Sequence, residues 1–187
     1  MKKNIVLGSA SPRRKALIEG LGLPYFIRTK YVDEVYPSET NVKDVALYLA
    51  ELKAEPLLVD LKKDEILITA DTTVVHNHQI LNKPSSKEEA KRILKSLSND
   101  KHQVITGVSI VSKEKKHLFS THTNVFFKPL SINEIEYYID HYKPYDKAGA
   151  YGIQEWIGQI GISHIEGCYY NVMGLPISKV WEALKKF

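Results

Sequence analysis

Between Glu65 and His76 the chain reads Glu-Ile-Leu-Ile-Thr-Ala-Asp-Thr-Thr-Val-Val-His, and this run constrains the fold more than any other. Its β-branched and aliphatic residues predict a buried strand. Asp71 stands in the middle of it, flanked by Thr69, Thr72 and Thr73. A carboxylate in a buried strand costs several kcal/mol, of order ~3, if it is left unpaired. Asp71 therefore needs a partner: a metal, a lysine or a reacting water on the functional reading, or backbone amides on a purely structural one. Aspartates near the carboxyl ends of sheet strands often line ligand crevices.

Helices and strands alternate around this run. Asn4 to Gly8 reads as a buried strand. A short helix follows at once, with Ser11 as its cap and Pro12 at its first position. Tyr25 to Val32 predicts a second strand. A helix begins near Asn41, with Val42, Val45, Ala46 and Leu49 on its apolar face, and Pro56 ends or kinks it. Ser86 to Leu97 and Ser131 to His141 predict helices with capping boxes at Ser86–Glu89 and Ser131–Glu134. Val104 to Val111 and Thr121 to Phe127 read as paired strands, with a lysine-bearing turn, Lys113 to Lys116, between them. Lys143 to Gln154 is a glycine-, lysine- and tyrosine-rich loop, Ile160 to Val172 is strand-like, and Pro176 to Lys186 closes the chain as an amphipathic helix. The pattern predicts an α/β fold with a mixed sheet. No repeat or linker interrupts it, so the 187 residues form a single domain.

Composition removes several classes. No apolar run approaches the roughly 18–20 residues that span a bilayer, and the segment before Ser11 is too short for a secretory signal. Cys168 is the one cysteine, so no internal disulfide forms, in keeping with a cytoplasmic setting. The net charge of +4 suits an anionic small molecule without implying nucleic acid. His76 and His78 have strand spacing but lack nearby acidic or cysteine co-ligands. The Walker and Gly-x-Gly-x-x-Gly loops are both absent.

Several segments carry candidate chemistry. In Ser9-Ala10-Ser11-Pro12-Arg13-Arg14 a strand passes into a helix whose first N–H groups lack internal partners. Two arginines in that first turn oppose the helix dipole, and a bound polyanion would reverse the penalty. They are either a phosphate cradle or two tolerated surface arginines. Lys53 falls on the apolar stripe of its helix, either as a phosphate ligand or as a lysine reaching solvent from the helix end. Asp33-Glu34 offers hard oxygen ligands for magnesium or manganese, and Lys83-Pro84 follows a short strand. In Asp146 to Gln154, two glycines let backbone approach a ligand, Lys147 meets phosphate, Tyr151 stacks, and the Gln154 amide reads a base edge. An ordinary glycine-rich connection is the alternative.

Taken in order, these segments resemble the Maf family of nucleotide pyrophosphatases over almost the whole chain. Ser9 to Arg14 looks like that family's first motif, Asp33-Glu34 its acidic step, and Lys53 its helix lysine. Ala70-Asp71-Thr72, Lys83-Pro84, Thr106-Gly107 and Asp146 to Gln154 follow. Asn171 to Pro176, Asn-Val-Met-Gly-Leu-Pro, closes the set. The resemblance implies a mixed twisted sheet with flanking helices and two lobes around a central cleft, similar to the inosine triphosphate pyrophosphatases. It further implies metal-dependent cleavage between the α and β phosphates, with Mg2+ or Mn2+, and a homodimer. Arg13, Thr72 and Gln154 resemble the branch acting on dTTP, UTP and related pyrimidine nucleotides. The branch preferring 7-methyl-GTP carries glutamine and glutamate at the last two positions. Asn82 and Cys168 depart from the usual glycine and serine, away from the proposed chemistry.

The expected site has Asp71 as the catalytic residue and Glu34 with Asp71 as metal ligands. Ser9, Ser11, Arg13, Arg14, Lys53, Thr72, Lys83, Lys147 and Gln154 bind the nucleotide. The expected reaction is attack of water on the α-phosphorus, releasing pyrophosphate. The competing readings are a nucleotide-binding regulator without turnover and a weak RNA-binding protein. The lack of a basic stripe with interleaved aromatics counts against the second.

Overall fold

The computed structural model describes residues 4–187. Seven strands form one mixed sheet among the described residues. They are β1 (Asn4–Leu7), β2 (Tyr25–Ile27), β3 (Glu65–His76), β4 (Gln79–Leu81), β5 (Lys101–Val111), β6 (Lys116–Phe127) and β7 (Ile162–Glu166). The order across the sheet is β2-β1-β3-β5-β6-β7, with β4 folded back on β3. β1 runs parallel to both β2 and β3, pairing Leu7 with Ile27 and with Ile68, whereas β3 with β4 and β6 with β7 are antiparallel. The predicted α/β class with a mixed sheet is the observed one.

The helices are α1 (Pro12–Glu19), α2 (Val45–Leu58), α3 (Lys87–Leu97), α4 (Ile132–Tyr142), α5 (Trp156–Gly161), α6 (Tyr169–Met173) and α7 (Ile177–Leu184). Ser11 caps α1 as predicted, its side chain accepting from the Arg14 N–H, with Pro12 in the first turn. The Ser131–Glu134 box on α4 is complete. On α3 only half of the box forms: Ser86 accepts from the Glu89 N–H, but the Glu89 carboxylate turns to the Ser85 N–H and hydroxyl.

Several boundaries differ from the prediction: β5 begins at Lys101 rather than Val104, and β6 at Lys116 rather than Thr121. β2 ends at Ile27 rather than Val32, because its partner among the described residues, β1, ends at Leu7 and the last rung is Arg28 N–H to Leu7 C=O at 3.1 Å. α2 begins at Val45 because Asn41 Oδ1 captures the Lys43 N–H and holds Asn41–Asp44 in a turn. It then runs through Pro56, which lies close enough to the end that the lost N–H costs the last turn alone. Residues 160–172 are not one strand, since β7 is followed by α6. There the Asn171 amide donates to Val104 C=O at 3.0 Å and to Thr123 Oγ1 at 2.9 Å, a use that fixes a helical turn rather than a strand.

The residues divide into two compact units. The first comprises the chain up to Thr72, Thr106–Thr121 and Gly174–Phe187. Its core includes Val6, Ala54, Leu57, Leu61 and Leu67, where α2 packs on β1 and β3. Gly107 lets the start of α2 lie against β5: a Cβ there would stand 2.3 Å from the Leu47 nitrogen and 2.4 Å from the Ala46 carbonyl. The second unit comprises Thr73–Ile105 and His122–Met173. Its core gathers Ile93, Leu94 and Leu97 of α3 with Ile135, Tyr138 and Ile139 of α4 and Val104, Val125 and Phe127 of the sheet. No helix among the described residues is long and apolar enough to cross a membrane.

Candidate active site

The register of the parallel strands sets the geometry of the first unit. β1 pairs with β3 only as far as Leu7 and Ile68, and Gly8 N–H adds a last bond to Ile68 C=O at 2.8 Å. β3 continues beyond that point, carrying Ala70, Asp71 and Thr72, while the chain leaving β1 turns into α1. Both segments thus lie at the carboxyl end of the parallel strands, the usual place for a ligand in such sheets.

Alternation along β3 then separates its side chains. Thr69 and Asp71 point toward α2. Thr69 Oγ1 donates to Ala50 C=O at 2.6 Å, and one turn on, Lys53 Nζ donates to Asp71 Oδ1 at 2.5 Å. The same ammonium reaches Glu34 Oε1 at 3.0 Å. Lys53 and Asp71 retain 19% and 11% of their side-chain exposure and Glu34 47%, so the pair is sheltered and its outer carboxylate is open to solvent. Among the partners left open for Asp71, the structure shows the lysine.

Thr72 points the other way, to α1. Arg14 NH2 donates to Thr72 Oγ1 at 3.1 Å, and Thr72 shares a bond of 2.9 Å with Thr106. Arg14 Nε donates to Gly174 C=O at 2.8 Å, and NH1 lies 3.5 Å from Ser9 Oγ. Ser9 Oγ also accepts the Ser11 N–H at 3.3 Å. The closing Asn-Val-Met-Gly-Leu-Pro segment therefore reaches the first motif through one glycine carbonyl, with Gly174 in a left-handed backbone (φ 113°). Burial pulls the Arg14 guanidinium below its usual pKa, opposed by the charge of Asp71 and reinforced by that of Arg13. Three cationic side chains, Arg13, Arg14 and Lys53, thus stand with two carboxylates at a helix N-terminus that has no acid in its first turn. That balance favours an anion.

Of the eleven predicted residues, the first unit brings together Ser9, Ser11, Arg13, Arg14, Glu34, Lys53, Asp71 and Thr72. Lys83, Lys147 and Gln154 lie in the second unit. Lys83 is exposed. Lys147 is buried and paired, to Asp146 Oδ1 at 2.7 Å and Glu155 Oε1 at 3.1 Å. Gln154 is partly buried, and its Oε1 has no hydrogen-bond partner. Neither Thr106 nor the Gly174 carbonyl was singled out as a ligand-shaping group. Both stood inside recognised motifs, and only the fold shows that they brace Thr72 and Arg14. Glu155 and Tyr138 carried no sequence signal beyond their residue types.

No group of three or more His, Cys, Asp or Glu side chains converges among the described residues. The acidic donors are the two carboxylates that share Lys53. Two carboxylates are what magnesium takes from a protein when phosphate oxygens and water complete its octahedron, so the donor set fits such an ion bound together with a nucleotide.

The architecture is similar to that of a HAM1 protein from Coxiella burnetii, with a TM-score of 0.53 over 99% of this chain and all of that one; at 11% identity the likeness is one of fold. Sequence narrows the class: the chain belongs to the Maf-like protein family, whose model matches residues 4–187. Among its relatives, the dTTP/UTP pyrophosphatase of Cytophaga hutchinsonii is 51% identical over 98% of this chain and 84% of its own length. That of Parabacteroides distasonis is 49% identical over all of this chain and 97% of its own length.

Proposed function

We propose that this chain hydrolyses nucleoside triphosphates to the monophosphate and pyrophosphate, acting on dTTP, UTP and related pyrimidine nucleotides as its relatives' names describe. The observation that carries the proposal is the sheltered Asp71, held by Lys53 beside Glu34, at the end of the sheet where Arg13 and Arg14 open α1. A pure phosphate binder gains nothing from a carboxylate beside its ligand.

In this reading Arg13 and Arg14, at the N-terminus of α1, hold phosphate oxygens, with Ser9 and Ser11 shaping the turn. Lys53 fixes Asp71 through Oδ1, which leaves Oδ2 to orient a water and accept its proton. The water oxygen bonds to the α-phosphorus as the α–β bridging bond breaks, and pyrophosphate leaves with that electron pair. Positioning and charge neutralisation do most of the work, so no covalent intermediate on the protein is needed. Mg2+ or Mn2+ held by Glu34 and Asp71 would supply further neutralisation of the phosphate oxygens. Lys83 and Lys147 are assigned to phosphate and Gln154 to the base, on the sequence pattern alone.

The test is product analysis on the full chain with dTTP, UTP, CTP, GTP, ITP and 7-methyl-GTP, with magnesium or manganese. Pyrophosphate from dTTP and UTP upholds the proposal. Orthophosphate instead would place the cleaved bond wrongly, and tight binding with no product would leave a nucleotide-binding regulator.

A further inference from the structure

Lys53 is shared between two carboxylates of unequal standing. Thr69 Oγ1 donates to Ala50 C=O at 2.6 Å, which fixes β3 against α2. Lys53 lies one turn beyond Ala50, as Asp71 lies one alternation beyond Thr69. The ammonium therefore meets Asp71 Oδ1 at 2.5 Å, between two sheltered side chains on elements packed in one core. Glu34 belongs to neither a helix nor a strand. It stands at the apex of a three-residue turn, closed by Val35 N–H to Asp33 C=O at 2.8 Å, between the exposed Tyr31 and Val35. Lys30 anchors the start of this segment, donating to Pro56 C=O at 2.9 Å and pairing with Asp60. At its far end, Glu34 Oε1 reaches the Lys53 ammonium at 3.0 Å from a half-exposed side chain.

Charge links the two contacts. An ammonium has three N–H donors and a single positive charge, and two carboxylates draw on it here. They are the same two that would serve a divalent ion. Lys53 is thus the cation that the structure shows on this pair, and a second cation enters only as Lys53 yields part of that role. The bond to Asp71 is short and sheltered. The contact with Glu34 is open to solvent, where ion pairs contribute little. An exposed turn also has little packing to hold it in place. Glu34 is therefore the partner that exchanges at the lower cost.

We propose that Lys53 is a built-in counter-ion which a divalent cation replaces at Glu34. Without that cation the ammonium holds both carboxylates. When the cation and the nucleotide enter, the turn at Glu34 transfers from the ammonium to the cation, while Lys53 keeps Asp71 and turns its released donor to phosphate. The inference rests on the reading of Glu34 and Asp71 as metal ligands given above. It gives Lys53 two successive partners, a carboxylate and a phosphate, in place of a choice between them. It also keeps the pair of carboxylates neutralised at both stages, so the first unit folds around a charge balance that needs no metal ion.

The experiment is a double-mutant cycle on the full chain without nucleotide: wild type, Lys53→Met, Glu34→Gln and the double variant. Mn2+ binding is read from the EPR signal of the free ion. Lys53→Met should bind Mn2+ about 30-fold tighter than wild type, because one unit charge a few ångström away is removed and Glu34 is released. In the Glu34→Gln background the same substitution should tighten binding by about five-fold or less, the part due to charge alone. Mn2+ at about 1 mM should raise the thermal midpoint of Lys53→Met by about 3 °C and that of wild type by about 1 °C or less. Equal or weaker binding by Lys53→Met, no binding by it at millimolar Mn2+, or the same gain in both backgrounds would overturn the inference. If Lys53→Met does not fold, Lys53→Gln, which keeps a donor for Asp71 without the charge, carries the same expectations. Binding needs no turnover, so the two readings fail separately. A chain that shows the gain but releases no pyrophosphate keeps the exchange and loses the reaction; one that releases pyrophosphate without the gain does the reverse.

Discussion

Lys53 shows what one residue adds to a sequence reading. Its position on the apolar stripe of α2 marked it as anomalous, and burial of an ammonium demands a counter-charge. The sequence offered no way to choose between Glu34, Asp71 and a phosphate, because these stand 19 and 18 residues away along the chain. The fold brings both carboxylates to the one ammonium. Lys53→Met leaves Asp71 without its cation. The expected cost is about 2 kcal/mol, below the full buried-pair value because Lys53 keeps some exposure; urea denaturation reads it directly. His102 carries a pH dependence. It is buried, with Nε2 against the Tyr151 hydroxyl at 2.7 Å and Nδ1 unpartnered. Burial, helped by the charge of His76 and opposed by Asp100, lowers its pKa to about 3 from 6.5. The unfolded chain therefore binds a proton that the folded one refuses. Stability is fully present above pH 6.5 and falls as pH drops from there toward 3. Denaturation midpoints across that window should decline, and His102→Gln should flatten the decline; equal slopes in the two proteins would contradict this account.

Elements were legible where their signals are local. The caps at Ser11 and Ser131 and the run of β3 follow from residues within one or two turns. The start of α2 was misplaced by a local turn at Asn41, whereas other misplaced boundaries depend on partners distant in sequence. β2 stops where β1 stops, and the chain after β7 turns helical because Asn171 reaches Val104 and Thr123. Gly107 belongs at this scale as well. It was visible only as part of a Thr-Gly motif, and its physical role is to admit the backbone of α2 against β5. Gly107→Ala puts a methyl into that backbone, where no rotamer change relieves the clash. The expected destabilisation is about 3 kcal/mol, visible as a lower thermal midpoint, while Gly20→Ala, whose nearest neighbour is 3.4 Å away, should change it little.

At the scale of the whole molecule, the family was legible because its motifs occur in order from Ser9 to Pro176, and the first of them are gathered at one end of the parallel strands. What order could not supply is the pairing within the set: Arg14 with Thr72 and the Gly174 carbonyl, and Lys53 with two carboxylates. Two carboxylates, with no third His, Cys, Asp or Glu side chain converging on them among the described residues, imply an ion held weakly in the absence of nucleotide. Chelation with EDTA should therefore abolish turnover while leaving the thermal midpoint of the nucleotide-free protein within about 1 °C, since little folding energy depends on the ion. A midpoint that falls by several degrees would contradict that assignment. The central claim is that Asp71 serves the chemistry rather than the fold. Its most direct test is pyrophosphate release from UTP by the wild type and by Asp71→Asn, with folding checked by thermal midpoint. The substitution should lower kcat by about 1,000-fold or more in a protein that still folds and still binds UTP. An Asp71→Asn protein with undiminished release would contradict the account.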